Sequence, residues 1–341
     1  MPDIRLALQQ AWLTKGLLAY LLWPLSLVYG LLVWCRKLLY RIGVFQSSRL
    51  PIPVIVVGNV FVGGVGKTPF VIALVKQLTA QGFKVGVLSR GFGRSSAATR
   101  SVTPQSLALE VGDEPLLIAR ACQVPVFVGK DRFQAGLDLL AQNPLVELIV
   151  CDDGLQHLAL AHDVALCVFD ERGLGNGWVL PAGPLREPWP VHALGNSIIT
   201  VSTSSQAPQH PKTNFLVPRV LGNWTQQADG TTQALSSFRG QKVQALAGIG
   251  KPQAFFDMLS ERGISPSTTH ALADHDDMRT VNLDPALGAV LCTEKDAVKL
   301  WNYLPNAWAV PLVTAIPPDL LAQILAHIHP KLSSVHGHQI T

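Results

Sequence analysis

The glycine-rich segment GNVFVGGVGKTPF, residues 58–70, constrains the fold more than any other part of the chain. A strand-like apolar run precedes it and a helix-like run follows it, which is the setting of a phosphate-binding loop. Its glycines let backbone N–H groups turn inward, and Lys67 adds a positive charge for the outer phosphates. The Thr68 hydroxyl suits a Mg²⁺ ion. We therefore predict an α/β fold with a nucleotide-binding loop made of Gly63, Gly64, Val65, Gly66, Lys67 and Thr68.

Two positions of this loop depart from the common pattern. Phe61 stands where the first glycine of the motif is usual. Val62 stands where a related class of ATPases has a lysine that reaches the nucleotide of a partner subunit. Catalysis of that paired kind is therefore disfavoured, and the phosphates need compensating positive charge from elsewhere in the chain. A glycine-rich turn that only packs a helix is the alternative, and the succession of Lys67 and Thr68 argues against it.

Short apolar runs alternate with helix-length segments from Pro51 onward, a pattern typical of a parallel sheet with crossover helices. Strands are predicted over residues 53–57, 84–88, 124–128, 146–151 and 164–169. The polar segment 200–214 predicts an exposed connection between two lobes. We predict a P-loop NTPase-like, doubly wound and mostly parallel core with a smaller α/β lobe and an N-terminal membrane-associated helix. The predicted boundaries are 1–45 for the apolar N-terminal segment, 46–215 for the core and 216–341 for the smaller lobe.

Residues 17–34 form the most apolar part of the chain, a run of eighteen residues without a charge. As a helix this run would be roughly 27 Å long, just under the ~30 Å hydrocarbon core of a bilayer. Pro24 lies inside it and would kink a helix. Arg36, Lys37 and Arg41 follow, and such a basic cluster is typical of the cytoplasmic side. We predict a membrane anchor that either crosses the bilayer or lies along it; a buried core helix is the alternative.

The overall composition limits the possible partners. Hydrophobic residues make up 48% of the chain and charged residues 15%, and the net charge is +4. This mildly basic balance suits an anionic ligand or a membrane surface but falls short of the basic stripe of nucleic-acid-binding proteins, so no nucleic acid is predicted. The five cysteines include no C-x-x-C pair, so neither a zinc site nor a disulfide framework is predicted. No obligate protein partner is indicated.

Two aspartates end the predicted strand in LIVCDDGLQH, residues 148–157. At this place in a phosphate-loop protein a carboxylate holds Mg²⁺ or its water shell. Neighbouring carboxylates are unfavourable without a cation, which favours a functional role for at least one of them. A turn or capping aspartate before Gly154 is the alternative for the other. We predict that Asp152 and Asp153 complete the nucleotide site, with Asp152 and Thr68 as candidate Mg²⁺ ligands.

Further candidate residues follow other predicted strands or open helices. Arg90 and Arg94, in LSRGFGR, fall on the same edge of the sheet as the loop and favour recognition of a phosphate, on the nucleotide or on an acceptor. A solvated basic turn is the alternative. In GDEP, Asp113 is either a helix cap or a general base. The long loop 175–188 carries Arg186 and Glu187 and is too elaborate for a simple connection.

The order of these motifs resembles that of a known family. GGVGKTP, SRGFGR, GDEP, DDGLQH, NGWVLPAGPLRE, AGIGKPQAFF, DH and TEKDAVK follow one another behind an apolar N-terminus. This succession is similar to that of the tetraacyldisaccharide 4'-kinases, the lipid A 4'-kinases. The resemblance implies a kinase that uses ATP and Mg²⁺ to phosphorylate the 4'-hydroxyl of an acylated glucosamine disaccharide 1-phosphate. It also implies a place at the cytoplasmic face of the bacterial inner membrane, where the acylated acceptor lies.

The resemblance also implies roles for individual residues. Lys67 and Thr68 match the phosphate and Mg²⁺ contacts of the family. Asp113 matches its catalytic base, which works with His275 of the DH motif. Phe92 stands where the family has a tyrosine, so any bond made by that hydroxyl is missing here, while stacking is retained. The acceptor-binding residues that the resemblance implies are Arg90, Phe92, Arg94, Arg186 and Glu187.

Two other functions remain open on the residues alone. A switch or assembly ATPase at the membrane would use the same GGVGKT loop, although Val62 and the lack of a metal-ligand cluster in the sequence argue against it. A non-enzymatic membrane scaffold would leave Lys67 and the paired aspartates without a purpose. TEKD is not a guanine-reading motif, since Glu294 holds the place of its lysine, so adenine is the favoured base.

Overall fold

The structure is a computed structural model that describes residues 10–191, 198–205, 208, 211–273, 276, 278, 281 and 283–336. Its first element is helix α1, Leu17–Arg41. Among the described residues this is the one helix long and apolar enough to cross a membrane by length and composition, with a mean hydropathy of 1.9. Only 11% of its most apolar window is buried, so α1 is not a core helix.

The larger of two main sheets begins directly after α1. Its strands are β1 Val54–Gly58, β2 Val85–Ser89, β3 Arg100–Val102, β4 Val126–Val128, β5 Leu148–Asp152, β6 Val164–Phe169, β7 Ile198–Ser202 and β8 Phe215–Leu216. They lie in the order β3-β4-β2-β5-β1-β6-β7-β8, and all neighbours are parallel except β3 and β4. The central strands are buried at every position, which requires cover on both faces.

Helices provide that cover. They are α2 Lys67–Ala80, α3 Ala108–Val111, α4 Asp113–Cys122 and α5 Arg132–Gln142. Side chains alternate along β1, as the pleat of a strand requires. Ile55 and Val57 face the core shared with α2 and α4, whereas Val54 and Val56 face the core shared with α5. The carboxyl ends of the central strands, and the loops that follow them, therefore meet at one edge.

A second, smaller sheet follows. The later strands are β9 Val220–Leu221, β10 Trp224–Gln226, β11 Thr232–Ala234, β12 Val243–Ala247, β13 Thr268–Ala271, β14 Ala289–Thr293, β15 Trp308–Val310 and β16 Leu312–Val313. Six of them form a sheet in the order β11-β10-β15-β14-β12-β13, while β9 and β16 form an antiparallel pair. The helices in this part are α6 Pro252–Glu261 and α7 Glu294–Leu300, with 3₁₀ turns at Leu235–Phe238 and Pro285–Leu287.

The last helix, α8, Pro318–His336, returns to the larger sheet. Its Ile324 and Ile328 are fully buried in the same core as α2 and α4. Residues that the sequence assigns to the smaller lobe, 216–341, thus also contribute to the core of the larger sheet. The domain boundaries at residues 45 and 215 stay a prediction.

The predicted fold class is confirmed, with a large, mostly parallel sheet, a smaller second sheet and an apolar N-terminal helix. One local prediction was wrong. The polar segment 200–214 was expected to be exposed, yet β7 occupies its first residues, and Thr200, Ser202 and Thr203 are buried. The pairing of β7 with β6 and β8 satisfies the backbone there, so polar side chains do not force the segment into solvent.

Candidate active site

The phosphate loop lies between β1 and α2 at the carboxyl edge of the larger sheet. Gly63 and Gly66 have φ angles of 100° and 80°, a conformation that favours glycine. The Nζ of Lys67, itself buried, donates to Asn59 Oδ1 at 2.8 Å and lies 3.2 Å from Asp153 Oδ1. The lysine charge is thus held at the loop by two protein oxygens. Thr68 follows it, buried in the first turn of α2.

The acidic pair is placed by the end of β5, and its two members differ in environment. Asp152 is fully buried; its Oδ2 accepts a hydrogen bond from Ser89 Oγ at 3.3 Å. Its Oδ1 is buried and has no hydrogen-bond partner among the described residues. Asp153 has a φ of 49° and turns toward the cavity, where Arg186 Nη1 lies 3.1 and 3.2 Å from its two carboxylate oxygens.

These environments shift the two pKa values in opposite directions. Burial raises the pKa of Asp152 to about 7, and the negative charges of Glu114 and Asp153 add to that rise. Burial also raises the pKa of Asp153, but Lys67 and Arg186 outweigh it and bring that pKa to about 2. Asp153 is therefore a firmly ionised partner of two cations. Asp152 carries an unsatisfied buried oxygen, which is costly unless a cation or donor meets it.

The donor set beside the loop suits a hard cation. A carboxylate oxygen of Asp152 and the hydroxyl of Thr68 are the kind of ligand that Mg²⁺ prefers. The described part of the chain contains no cluster of three or more His, Cys, Asp or Glu side chains that could hold a metal ion. A nucleotide-bound Mg²⁺ takes one or two protein oxygens and completes its shell with water and phosphate oxygens.

The long loop 175–188 ties α1 to this site. Tyr29 of α1 donates its hydroxyl to Arg186 O at 2.7 Å, and the Lys37 ammonium pairs with Glu187. Glu187 is only 2% exposed and also accepts a hydrogen bond from Gln156 Nε2 at 2.7 Å. The N-terminal helix therefore forms one wall of the site.

A cavity of about 900 Å³ opens beside the phosphate loop. The predicted site residues that line it are Gly63, Gly64, Lys67, Arg90, Phe92, Asp153, Arg186 and Glu187. Eight of its lining residues are Lys or Arg, against three Asp or Glu, so the cavity suits an anionic ligand. Burial lowers the pKa of lining His157 to about 4, which keeps that imidazole neutral at physiological pH.

Arg94 and Asp113 are predicted site residues that do not line this cavity. Arg94 donates to the carbonyl oxygens of Ala98 at 2.6 Å and Ala97 at 3.0 Å, within its own turn. Asp113 opens α4 and is nearly buried, with Lys299 Nζ of α7 at 3.2 Å from its Oδ2. His275 falls outside the described residues.

Several residues at the site were missed by the sequence analysis. Arg132 is buried and donates from Nη2 to Asp153 O at 3.1 Å. It follows the predicted strand that ends at residue 128, so its position on the ligand-facing edge was a usable signal. Asn59, Ser89 and Gln156 each support a charged group of the site, but nothing in their sequence context distinguishes them from ordinary polar residues.

The fold and this site define a class of protein, a P-loop enzyme that binds a nucleoside triphosphate. Comparison with known families narrows that class. Residues 18–329 match the family model of tetraacyldisaccharide-1-P 4'-kinase. The chain belongs to this family.

Individual relatives agree with that assignment. The chain is 49% identical to the tetraacyldisaccharide 4'-kinase of Acidovorax sp. (strain JS42) over 330 residues, 96% of each chain. It is 49% identical to that of Polaromonas naphthalenivorans (strain CJ2) over 343 residues, covering 98% of this chain and 99% of that one. Among solved structures, LpxK from Aquifex aeolicus in complex with ATP matches with a TM-score of 0.79 and 29% identity, over 92% of this chain and 100% of that chain.

Proposed function

We propose that the chain transfers the γ-phosphoryl group of ATP to the 4'-hydroxyl of a tetraacylated glucosamine disaccharide 1-phosphate, a step in lipid A biosynthesis. One observation carries this proposal. The phosphate loop and Asp153 meet at a cationic cavity in a chain that matches the kinase family over residues 18–329. The acceptor follows from the printed name of the family, and the nucleotide from the ATP bound in the Aquifex aeolicus relative.

ATP would bind with its phosphates on residues 63–68. The backbone N–H groups and the N-terminus of α2 would hold the phosphate oxygens, and Lys67 would share its charge between Asp153 and the outer phosphates. Mg²⁺ would be held by Thr68 and Asp152; the unpartnered Oδ1 of Asp152 supports this assignment. When bound, the cation supplies charge neutralisation to the phosphates.

The acceptor would occupy the part of the cavity lined by Arg90, Phe92, Arg186 and Glu187. Phe92 lines the cavity and is 64% exposed, and its aromatic ring would stack on a sugar. Arg94 would act indirectly, by closing the 94–98 turn through its two carbonyl contacts. The arginines would recognise phosphate or sugar oxygens on the anionic acceptor.

We assign the general base to Asp113, with His275 as the residue that orients it. The next residue, Glu114, lines the cavity, and this proximity in sequence supports the assignment. Asp113 contacts Lys299, which belongs to the smaller lobe. Closure of the two lobes would therefore bring Asp113 to the acceptor hydroxyl. Asp113→Asn should lower turnover by ~10²-fold or more with little effect on ATP affinity; turnover near that of the unmodified enzyme would refute the assignment.

The N-terminal helix would lie along the cytoplasmic face of the inner membrane rather than cross it. Ser26 Oγ, in the middle of the apolar run, donates to Val179 O at 2.9 Å and accepts from Ala182 N at 2.8 Å. A spanning helix has lipid around its hydrocarbon length, whereas one side of α1 is occupied by the protein body. The opposite side exposes large apolar side chains and suits an interfacial helix.

The decisive experiment is transfer of labelled γ-phosphate to a tetraacyldisaccharide 1-phosphate in vesicles or mixed micelles. We expect labelled 4'-phosphate product from the unmodified protein and almost none from Lys67→Ala. ATP hydrolysis that does not depend on the acceptor, without labelled lipid, would instead identify a membrane-bound assembly ATPase. Absence of both products would contradict the kinase proposal and the ATPase alternative together.

A further inference from the structure

Arg172 lies just after β6 and contacts the phosphate loop, although no motif of the sequence analysis includes it. Its Nη2 donates to Gly64 O at 2.8 Å, and its guanidinium carbon lies 4.2 Å from the centre of the Phe61 ring. Phe61 is 3% exposed. The side chain that replaces the usual first glycine of the loop thus forms a platform for an arginine that reaches the loop backbone.

This contact fixes the direction of a backbone donor. In a planar trans peptide, the carbonyl of one residue and the N–H of the next point in opposite directions. Arg172 holds the carbonyl of Gly64, so the N–H of Val65 is directed away from Arg172. Thr203 Oγ1 holds the next carbonyl, donating to Val65 O at 2.8 Å, and so directs the N–H of Gly66. Such N–H groups are what a phosphate loop offers its ligand.

Arg172 is itself held by a buried carboxylate. Its Nη2 lies 2.6 Å from Asp170 Oδ2, and its Nε donates to both oxygens of the same carboxylate at 3.1 and 2.9 Å. Asp170 is 1% exposed. Burial raises the pKa of this carboxyl, but Arg172 and Lys251 outweigh that effect and keep it below its ordinary value. Asp170 is therefore charged at neutral pH.

The second cation on Asp170 comes from the smaller lobe. Lys251 directly precedes α6, and its Nζ lies 3.3 Å from Asp170 Oδ2 and also pairs with Glu171. A continuous series of contacts therefore runs from Lys251 through Asp170 and Arg172 to the Gly64 carbonyl. Because Lys251 and Arg172 share one carboxylate oxygen, loss of the Lys251 contact would change the charge environment of Arg172.

We propose that Arg172 is a positioning residue for the phosphate loop and that Lys251 of the smaller lobe acts on it through Asp170. The inference rests on the proposed function for the identity of the nucleotide. Arg172 supplies in cis part of the positive support that the loop lacks at Val62. The smaller lobe thereby contributes to ATP binding through Lys251, which does not itself line the cavity.

The test compares Arg172→Ala, Arg172→Lys and Lys251→Ala with the unmodified chain, using KM for ATP, KM for the acceptor, kcat and the Kd of ATP with Mg²⁺ by calorimetry. In Arg172→Ala we expect the KM and Kd for ATP to rise roughly 10-fold to 100-fold, the loss of a charge-assisted hydrogen bond, with the acceptor KM unchanged. Lys251→Ala should raise the KM for ATP about 2-fold to 5-fold. Arg100→Ala is the matched control, because Arg100 also pairs with a carboxylate, that of Glu110, but lies far from the loop on edge strand β3.

Two results separate positioning from a purely structural role. Arg172→Lys keeps the positive charge beside Asp170 but cannot bond Asp170 and the Gly64 carbonyl at the same time. Its Tm should therefore equal that of the unmodified chain, while its KM for ATP stays raised as in Arg172→Ala. In the double variant, Lys251→Ala should add little to the KM of Arg172→Ala, since both act through one carboxylate. Full recovery of the KM by lysine, or ATP affinity in Arg172→Ala within about two-fold of the unmodified chain, would overturn the inference.

The controls also cover failure to fold and failure of the proposed function. If Arg172→Ala is unfolded by circular dichroism, the lysine variant and Lys251→Ala still decide the question. If the unmodified chain binds ATP but makes no phosphorylated lipid, the proposed function fails while the calorimetric comparison still tests Arg172.

Discussion

At the scale of single residues, the neighbouring carboxylates of Asp152 and Asp153 have different pKa values because their surroundings differ. Asp153 meets Lys67 and Arg186, so its pKa falls to about 2. Asp152 accepts a hydrogen bond from Ser89, but burial and the charges of Glu114 and Asp153 raise its pKa to about 7. Identical side chains one residue apart thus differ because the turn after β5 directs one into the cavity and leaves the other beneath the loop.

The Mg²⁺ assignment gives a first prediction at this scale. Asp152→Asn removes the charge of the proposed ligand while keeping its shape, so the Mg²⁺ concentration for half-maximal kinase activity should rise roughly 10-fold or more. The measurement is a Mg²⁺ titration at saturating ATP. Asp257→Asn, an exposed aspartate on α6, is the control and should leave the titration unchanged. An unaltered Mg²⁺ requirement in Asp152→Asn would exclude Asp152 as a ligand.

Glu294 gives a prediction for the pH dependence of stability. Burial raises its pKa to about 7, against the effect of Lys76. A carboxyl whose pKa is higher in the folded than in the unfolded state binds its proton more tightly when folded, so its contribution to stability is lost as pH rises from ~4.3 to about 7. Glu294→Gln should therefore raise the Tm at pH 8 by about 2 °C or more and have little effect near pH 4.5.

The control for Glu294 is Glu261→Gln, which changes an exposed glutamate at the end of α6. Its Tm should follow the unmodified chain at both pH values. A Glu294→Gln gain that is the same at pH 4.5 and pH 8 would show that removal of the buried charge is not the cause.

At the scale of elements, α1 is a helix with two different partners. One side contacts the loop 175–188 through Ser26, Tyr29 and Lys37. The other side is apolar and exposed. Leucines and a valine follow one another there at helical spacing, at Leu17, Leu21, Leu25, Val28 and Leu32. The same helix can therefore hold the site together and contact the membrane.

The membrane role of α1 is tested by placing charges on its exposed side. Leu21 and Leu32 are 67% and 63% exposed, so the double change to Glu should leave folding intact. Each substitution removes the burial of one leucine side chain in lipid. The two substitutions together should lower binding to phosphatidylglycerol-containing vesicles by roughly 100-fold. Leu145→Glu, at a residue that is 78% exposed and lies outside α1, in the loop before β5, should bind as the unmodified chain does. Vesicle flotation that is unaffected by the double change would contradict an interfacial α1.

At the scale of the whole molecule, the C-terminal part of the chain packs against the larger sheet, which the N-terminal part forms. After the smaller sheet is complete, α8 returns to the larger one and buries Leu320, Ile324 and Ile328. Lys251 and Lys299 add ionic contacts between the two parts. The smaller lobe is thus inserted between elements of the larger one, and the chain crosses between them more than once.

This arrangement predicts that the larger sheet depends on the C-terminal helix. Ile324→Ala leaves a cavity in the core shared with α2 and α4, so the free energy of unfolding should fall by about 2–5 kcal/mol. Gln323→Ala, on the exposed side of α8, should change it little. The measurement is urea unfolding followed by circular dichroism. A loss below about 1 kcal/mol in Ile324→Ala would show that α8 is not part of the main core.

The sequence by itself determined the features that depend on neighbouring residues. A phosphate loop between an apolar strand and a helix needs positive φ angles, which favour glycine. The glycines at Gly63 and Gly66 therefore indicate the loop from the sequence alone. The alternation of apolar runs gave the strand and helix positions for the same reason. Asp152 and Asp153 were found because the carboxyl ends of parallel strands share an edge.

Only the tertiary structure decided which distant residues meet. Arg172 and Gly64 are 108 residues apart in sequence, and Ser26 and Val179 are 153 apart. Such contacts depend on strand order and on how one element packs against another, and no periodicity in the sequence encodes them. The purpose of Phe61 illustrates the difference. In sequence it is a missing glycine, and in the fold it is the surface on which Arg172 rests, because β6 lies beside β1.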